Sequence, residues 1–350
     1  MAIRKSSPVR LGVIGLTHDH IWDNLKDLKK NRDAVLVAVA DESEPLRARA
    51  VKEYRCRAHD SVQALLEAEK LDAVLVYGDN AEGEIATILA ADQDLHVLVE
   101  KPMAASLAGA DEMIAVVRNT KTRLMVNWPI AWWPQLQQAM KLVEKGTIGR
   151  VWQTKYRAAH CGPKEMGASP FFCEWLYDEE RNGGGALIDY CCYGAALSRY
   201  FVGVPSRVTA MSGRLCKEDI VMEDNAVLLM QYQDALSIAE ASWTQIGYLT
   251  SYVVTLYGTK GTLLIEPGAD GRVLLATEKE PYGKPVKVTK PAPYLRSATA
   301  NFVHCLKTGE EFHPLCQDRL ARDAQEILEA GLIAAESGTA VSLPLAISNL

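Results

Sequence analysis

The chain has 350 residues and a formal net charge of -6, and its basic residues are scattered, which argues against nucleic acid as the main partner. Hydrophobic residues make up 48% and charged residues 23% of it, which is typical of a globular protein of about two domains. The start, MAIRKSSPVR, lacks the apolar segment of a signal peptide, no run is long enough to span a membrane, and the eight irregularly spaced cysteines indicate a cytoplasmic protein without disulfides.

The N-terminal third of the chain alternates short apolar runs with segments of helical period. Runs rich in Val and Leu predict buried strands at residues 9–15, 35–40, 73–77, 96–99 and 124–127. Helical periodicity predicts helices at residues 45–54, 61–69, 82–91, 107–117 and 133–145, and Ser106 is the expected cap of the fourth. This alternation predicts a parallel sheet with helices on both faces.

The remainder of the chain is richer in strands, with few helices between them. Strands are predicted at residues 151–157, 207–215, 226–232, 236–243, 252–257 and 262–266. Helices are predicted at residues 185–201, 295–307 and 318–337, and residues 277–291 are expected to form an exposed connection. We therefore predict an α/β domain over residues 1–128, followed over residues 129–350 by an α+β domain with an open, mostly antiparallel sheet.

The stretch VIGLTHDH, residues 13–20, lies where a dinucleotide-binding fold has its phosphate loop. Of the three glycines in G-x-G-x-x-G, only Gly15 is present, because Thr17 and His20 occupy the other two positions. Pyrophosphate is held by helix N-terminal N–H groups, so we expect Gly15, Leu16, Thr17 and His18 to bind a cofactor, with Thr17 or His18 filling the gap left by the second glycine. The alternative is an ordinary loop without a ligand. Residues two apart on a helix do not face each other, so we predict no metal site at the two histidines.

Asp41 follows the second predicted strand, in VAVADESE. A carboxylate at this place accepts both ribose hydroxyls of an adenosine. Glu42 and Glu44 would repel a 2'-phosphate, so the sequence favours NAD over NADP. A helix-capping role for Asp41 is the alternative.

Lys101 and Pro102 follow the predicted strand at residues 96–99, at the sheet edge where ligands bind. The Lys101 ammonium is suited to holding a substrate hydroxyl, and Pro102 is a candidate for a cis peptide bond. Asp189 and Tyr193 are i, i+4 neighbours off the apolar face of the predicted helix over residues 185–201. The pair suits acid–base chemistry. The alternative for Lys101-Pro102 is a surface turn, and the alternative for Asp189 and Tyr193 is a solvated helix face.

Aromatic residues are concentrated near the end of the predicted parallel sheet and in the long loop before the helix at residues 185–201. Aromatic rings pack well on the C–H faces of sugars, although core packing is the alternative for each ring. The candidate substrate contacts are Trp128, Trp132, Phe172 and Trp175.

These elements in this order resemble the Gfo/Idh/MocA family of nicotinamide-dependent oxidoreductases. The resemblance rests on Glu100-Lys101-Pro102, on Gly184-Gly185 followed by Asp189, and on the segments EDNAVLLMQY, GTKGTL and FVHCLKTGEEFHP. It implies an N-terminal Rossmann domain that binds the cofactor and a C-terminal open sheet that faces the nicotinamide. It also implies a homodimer or homotetramer that packs through the outer face of that sheet.

By the same resemblance, Lys101 is similar to the family's catalytic lysine and Asp189 to its second-domain aspartate. Tyr193 stands where many members have His, and Asn80 and Glu100 match cofactor-contacting positions. The chain departs from the family pattern at Gly83, where a His is usual.

The resemblance implies hydride transfer between NAD(H) and a carbinol carbon of a sugar, polyol or related small molecule. Lys101 would orient the hydroxyl, Tyr193 would take its proton, and Asp189 would hold Lys101 or the substrate. Two alternatives stay open: a non-catalytic sensor or regulatory protein, and a sugar enzyme that uses the cofactor without net redox change. The absence of stabilisation by any nicotinamide nucleotide would favour the first alternative.

Overall fold

A computed structural model describes residues 7–345, and it contains a parallel sheet followed by a mixed one. Most of the N-terminal stretch on which the signal-peptide expectation rests lies outside the described residues. The parallel sheet has the order β3-β2-β1-β4-β5-β6, with helices between its strands. Its elements are β1 (Val9–Ile14), α1 (His20–Leu28), β2 (Ala34–Ala40), α2 (Glu44–Tyr54), β3 (Arg57–His59), α3 (Val62–Ala68), β4 (Ala73–Val76), α4 (Asn80–Ala91), β5 (His96–Glu100), α5 (Leu107–Asn119) and β6 (Leu124–Asn127).

The register of this sheet brings the carboxyl ends of its central strands to one edge. Ile14 pairs with Ala40 on one side and with Val76 on the other, and Glu100 pairs with Asn127. The residues that follow β1, β2, β4 and β5 therefore share the edge at which ligands of α/β sheets bind.

The second sheet has nine strands in the order β14-β13-β12-β11-β7-β10-β9-β8-β15. Its pairs are antiparallel apart from that between β7 and β10. The elements of this part are α6 (Pro134–Glu144), β7 (Val151–Ala159), α7 (Pro170–Leu176), α8 (Glu179–Asn182), a π-helical turn (Leu187–Cys191), α9 (Cys192–Phe201), β8 (Arg207–Gly213), β9 (Asn225–Gln231), β10 (Leu236–Ser242), β11 (Tyr252–Gly258), β12 (Thr262–Glu266), β13 (Arg272–Thr277), β14 (Glu280–Pro285), α10 (Ala298–Thr308), α11 (Asp318–Ser337) and β15 (Val341–Ser342).

The π-helical turn and α9 cover one face of the second sheet. Gly194 makes their close approach possible, since a Cβ at this position would lie 2.3 Å from Cβ of Ala239 on β10. The opposite face of the sheet carries exposed apolar side chains, among them Met211, Val227 and Leu229.

The two C-terminal helices contact elements of both sheets. Helix α10 packs against α1, and α11 packs against α5, α9 and β8. Residues 298–337 thus join the two halves of the chain, and the boundary after residue 128 stays a prediction.

The structure confirms the predicted fold class and corrects several elements. Helix α1 and strand β3 were not predicted, and β14 occupies part of the segment 277–291 that was expected to be a connection. The helix predicted from residue 185 begins as a π-helical turn at Leu187, because the glycines before it form the link from α8. All eight cysteines lie in the described range and are free, and none of the helices within residues 7–345 is long and apolar enough to span a membrane.

Candidate active site

The centre of the site is an ion pair between the two parts of the chain. Nζ of Lys101 donates to Oδ1 of Asp189 at 2.6 Å and to the Asp189 carbonyl oxygen at 3.1 Å. The two side chains are only 4% and 8% exposed. Burial alone lowers the pKa of Lys101, but the Asp189 carboxylate outweighs it and holds the pKa above its usual value. Lys101 therefore carries a positive charge in an enclosed place.

The surroundings of Asp189 fix this pair in one geometry. Its Oδ2 accepts a hydrogen bond from Nε1 of Trp243 at 3.2 Å, so both carboxylate oxygens are satisfied. Lys101 directly follows β5, and the predicted cis bond to Pro102 is present. The alternatives of a surface turn at Lys101 and a solvated helix face at Asp189 are wrong, because both side chains are buried.

A cavity of about 310 Å³ opens beside the ion pair. It lies between the loop after β1, the end of β5, and the second sheet with its π-helical turn. Its lining includes His18, Asp19, His20, Lys101, Pro129, Ile130, Trp133, Tyr156, His160, Phe172, Asp189, Tyr190, Tyr193 and Tyr252. A mixture of aromatic faces and a few polar groups is the usual lining of a small-molecule site.

Tyr190 and two partners form a hydrogen-bonded chain on the cavity wall. Its hydroxyl contacts Nε2 of His160 and lies 3.2 Å from the hydroxyl of Tyr252. The backbone N–H of Gly162 donates to Nδ1 of His160 at 2.8 Å, so the proton of the neutral ring is on Nε2 and is directed to Tyr190. Burial lowers the pKa of His160 to about 4, so the ring is neutral at neutral pH.

Sequence reasoning missed this chain of polar groups. Tyr190 lies in the segment predicted as a regular α-helix, where the structure has a π-helical turn. The other two residues come from β11 and the end of β7, and no local pattern connects them to the helix. Only the clustering of aromatic residues gave a signal.

Tyr193 lies deeper in the same wall and makes mainly aromatic contacts. Its ring centroid is 5.9 Å from that of Trp128 and 5.8 Å from that of Tyr156. Nζ of Lys101 lies 4.9 Å from the Tyr193 ring centroid, so the ammonium contacts its π-face. Burial raises the pKa of Tyr193 well above its usual value, which favours the neutral phenol.

A second cavity, of about 550 Å³, runs along the carboxyl edge of the parallel sheet. Gly15 has φ +79°, and a Cβ there would lie 2.2 Å from the backbone nitrogen of Gly78. Only glycine fits this close contact between the first turn and the end of β4. We call this cavity the groove; its lining includes Gly15, Thr17, Asp41, Glu42, Ser43, Asp60, Gly78, Glu82, Gly83, Phe171, Glu174 and Arg181.

Asp41 occupies the end of β2 and connects two loops of the groove. Its Oδ2 accepts from the N–H of Leu16 at 2.6 Å, and its Oδ1 accepts from the N–H of Ser43 at 2.7 Å. Burial raises the pKa of Asp41 although these two backbone donors oppose the shift. Each carboxylate oxygen keeps a further acceptor position, so the side chain still suits ribose hydroxyls.

The loop from Thr17 to His20 uses two of its backbone donors within the protein. The N–H of His18 donates to the carbonyl of Tyr77 at 3.0 Å, and that of His20 donates to Nδ1 of His18 at 3.2 Å. The N–H groups of His18 and His20 are therefore not free to bind a phosphate. Burial, with a smaller effect of His20 and Lys101, lowers the pKa of His18 well below its usual value, so His18 is not a charged donor.

Asn80 and Glu100 lie near the carboxyl edge of the parallel sheet, but their side chains form hydrogen bonds with other protein groups. Nδ2 of Asn80 donates to the carbonyl and the side-chain oxygen of Asn182, at 2.9 and 2.8 Å, and so ties α4 to α8. Glu100 accepts from Nδ2 of Asn127 at 2.6 Å and faces Nδ1 of His20 at 3.2 Å.

The four aromatic candidates occupy different positions. Phe172 lines the 310 Å³ cavity, while Trp175 is buried behind it with ring centroids 5.0 Å apart. Trp128 is buried against Tyr193, and Nε1 of Trp132 donates to Oδ1 of Asn127 at 2.8 Å. Of the four, only Phe172 is placed among the cavity-lining residues.

Comparison with known proteins agrees with this arrangement. Residues 9–128 match the model of an oxidoreductase family with an NAD-binding Rossmann fold, and residues 136–264 match the GFO/IDH/MocA C-terminal domain. The chain therefore belongs to the Gfo/Idh/MocA family of oxidoreductases. The predicted family and the predicted class of enzyme, an NAD(P)-dependent oxidoreductase, are confirmed.

Individual relatives are distant but extend over most of the chain. A dTDP-3,4-didehydro-2,6-dideoxy-alpha-D-glucose 3-reductase of Streptomyces antibioticus is 26% identical and covers 75% of this chain and 76% of its own length. A 2,7-anhydro-N-acetylneuraminate hydratase of Mediterraneibacter gnavus is 25% identical, covering 85% and 87%. The fold is similar to that of the WlbA dehydrogenase from Bordetella pertussis, with a TM-score of 0.77, 21% identity, and 97% and 100% coverage.

Proposed function

We propose that the chain transfers a hydride between NAD(H) and a carbinol carbon of a sugar, polyol or related small molecule. The observation that carries the proposal is the buried pair of Lys101 and Asp189, which lies beside a cavity large enough for a small polar molecule. Relatives named as sugar-nucleotide reductases support the substrate class.

The residues around the groove fit a dinucleotide. Gly15 and Gly78 line the groove, Asp41 offers acceptors for ribose hydroxyls, and Oγ1 of Thr17 is buried without a hydrogen-bond partner in the described residues. We assign Gly15, Leu16, Thr17 and Asp41 to this cofactor. When bound, the nicotinamide would accept or supply the hydride.

The chain's own residues would hold the reacting oxygen and its proton. The Lys101 ammonium would donate a hydrogen bond to the substrate oxygen and stabilise negative charge that develops on it. Asp189 would keep Lys101 charged and aimed at the cavity. The neutral phenol of Tyr193 would donate its proton to the substrate oxygen when a carbonyl is reduced, which leaves a phenolate beside the Lys101 ammonium. Oxidation would start from that phenolate, which would take the hydroxyl proton back.

Three finer features form part of the proposal. NAD(H) is preferred over NADP(H), because acidic groups line the groove at Asp41, Glu42 and Asp60 and would repel a 2'-phosphate.

The exposed apolar face of the second sheet forms a homodimer or homotetramer interface, in which Met211, 83% exposed in the monomer, would be covered. The eight free cysteines are in keeping with the reducing cytoplasm.

The test uses nicotinamide binding and turnover as separate measurements. NAD⁺ or NADH should raise the melting temperature, and a screen of sugars, sugar acids, inositols and diols should find a substrate-dependent change in NADH absorbance. Lys101→Ala should abolish this turnover and keep NADH binding, whereas Lys121→Ala, in an exposed ion pair with Asp94, should change neither.

Two results would contradict the proposal. If no nicotinamide nucleotide stabilised the protein, the sensor alternative would be favoured. Full activity of the Lys101→Ala variant would refute the assigned role of the ammonium.

A second candidate is a sugar enzyme that uses its cofactor without net redox change. The observation that favours it is the similarity to a relative named as a hydratase over 85% of this chain. In that case a substrate from the screen would be converted, detected by chromatography, without a net change in NADH.

A further inference from the structure

Two histidines and a glutamate meet at the point where the groove and the 310 Å³ cavity adjoin. One ring nitrogen each of His18 and His20 and a carboxylate oxygen of Glu100 lie within 4.8 Å of one another. The ring centroids of the two histidines are 4.6 Å apart. Two imidazoles with one carboxylate and an open side form a common ligand set for divalent transition metals.

His18 and His20 do not lie on one helix, so the reason for predicting no metal site at these two residues is wrong. Helix α1 begins at His20, and His18 belongs to the loop before it. His18 is tied through its backbone N–H to Tyr77 at the end of β4, which turns the two rings to the same side.

The electrostatic balance at the cluster leaves room for a cation. Glu100 has a side chain that is only 4% exposed, and its hydrogen-bond partners are the Asn127 amide and the His20 ring. The nearby ammonium of Lys101 is directed to Asp189 instead. In the described residues no Lys or Arg forms an ion pair with Glu100, and a buried carboxylate without a cation is costly.

His18 has a buried polar atom that the proposed reaction does not use. The residue is 1% exposed, and its Nε2 has no hydrogen-bond partner among residues 7–345. Its Nδ1 accepts only the 3.2 Å bond from the His20 N–H, which is at the long end of the range for such bonds. An unsatisfied buried imidazole nitrogen calls for an explanation, and a metal ion bound at Nε2 would supply one.

We propose that His18, His20 and Glu100 bind one divalent transition-metal ion whose remaining coordination positions face the 310 Å³ cavity. Nitrogen ligands favour a zinc-like ion over magnesium or calcium, which prefer oxygen. Ligand atoms of a tetrahedral zinc-like ion are about 3.4 Å apart, because metal–ligand distances are about 2.0–2.1 Å. The ligand atoms lie within 4.8 Å of one another, so the widest separation must contract by up to about 1.4 Å, and His20, with its side chain 43% exposed, has the freedom to move.

The open positions would take an oxygen ligand, such as a hydroxyl or carboxylate of a small molecule in the cavity. His18, His20 and Lys101 all line that cavity, so the metal and the ammonium would bind the same molecule from two directions. The metal would polarise the bound oxygen as a Lewis acid. The binding of the ion itself does not depend on the proposed oxidoreductase activity.

The test is metal binding by the full chain after removal of metals with EDTA. Titration with Zn²⁺ in a calorimeter should give one site per chain, and Co²⁺ should give the visible absorption of a cobalt site with nitrogen and oxygen ligands. His18→Gln and His20→Gln should each weaken Zn²⁺ binding at least 10-fold. His304→Gln is the matched control, because His304 faces Glu310 at 3.1 Å in the same kind of pair. The Zn²⁺ binding curve of this variant should equal that of the wild type.

Three outcomes would overturn the proposal: no saturable site in the wild type, unchanged binding in both histidine variants, or a thiolate-to-cobalt band that assigns the ion to cysteine. If the His18 variant does not fold, as judged by circular dichroism, His20→Gln decides the question, because His20 is half exposed. The titration contains no nicotinamide and no sugar, so its failure would leave the proposed function untouched.

Discussion

The buried ion pair of Lys101 and Asp189 should make removal of either partner far more costly than removal of both. Lys101→Met leaves a carboxylate that is 8% exposed without its cation, and Asp189→Leu leaves an ammonium that is 4% exposed without its anion. Each single change is expected to cost about 3–5 kcal/mol of unfolding free energy, because an uncompensated charge stays buried. The double variant replaces the pair by apolar side chains and should recover most of that loss.

Urea unfolding, followed by circular dichroism, measures these differences. At a denaturant slope of about 3 kcal/mol per molar, each single variant should lower the midpoint by about 1 M or more, and the double variant by much less. Lys121→Met is the control, since its pair with Asp94 is 76% and 45% exposed and should contribute no more than about 1 kcal/mol.

The double variant also separates stability from chemistry. It should regain its midpoint but stay without turnover, because no ammonium remains to hold the substrate oxygen. If Lys101→Met lowers the free energy of unfolding no more than Lys121→Met does, the pair is not the buried, dehydrated contact that the geometry indicates.

Three further predictions concern the groove, the outer face of the second sheet and the buried histidines. Asp41→Ala should weaken NAD⁺ binding by about 10-fold, as expected for loss of hydrogen bonds to a charged group of about 1.5 kcal/mol, and NADP⁺ binding less; a larger effect on NADP⁺ would refute the ribose contact. Leu229→Glu, on the exposed apolar face, should dissociate the oligomer in light scattering after gel filtration, and an unchanged mass would exclude this face as the interface. Burial lowers the pKa of His313 from 6.5 to about 4, so as the pH falls the unfolded chain binds a proton at this residue before the folded chain does. The contribution of the neutral His313 to the free energy of unfolding is therefore complete above pH 6.5 and is lost as the pH falls towards 4. His313→Gln should therefore reduce the fall in stability between pH 7.5 and 4.5, measured by urea unfolding at both pH values, by about 2–3 kcal/mol, and an unchanged fall would contradict this assignment.

The fold could be predicted largely from the sequence, because buried parallel strands and amphipathic helices have distinct patterns. Strand β6 occupies the predicted residues, and Ser106 caps α5 through the N–H of Gly109 as expected. Strand β3, with three residues and no buried side chain, is too short and polar to give a signal. Strand β14, with the sequence EPYGKP, contains two prolines and a glycine, which disfavour strands, so its pairing with β13 depends on tertiary contacts.

The site could be predicted only where its residues follow a strand or a motif. The position of Lys101 at the edge of the parallel sheet could be predicted, because it follows from the register of the strands. Its contact with Asp189 was expected only from the resemblance. The contact of Tyr190 with His160 could not be predicted, because it requires a π-helical turn and two distant strands. A turn of this kind rotates the side chains that follow it, and a periodicity based on 3.6 residues per turn cannot show it.

The loop GLTHDH illustrates how one local change can alter the meaning of a motif. A glycine at the second position would permit close approach of the pyrophosphate to the backbone, whereas Thr17 adds a buried hydroxyl without a partner. The histidines that follow place two imidazoles beside Glu100, at the junction of the groove and the 310 Å³ cavity. The loop therefore keeps the first glycine, which the contact with Gly78 requires, and adds at His18 and His20 two groups suited to a cation. A chain that binds NADH at the groove and Zn²⁺ at the histidines would combine both uses, and the nicotinamide and zinc titrations measure them independently.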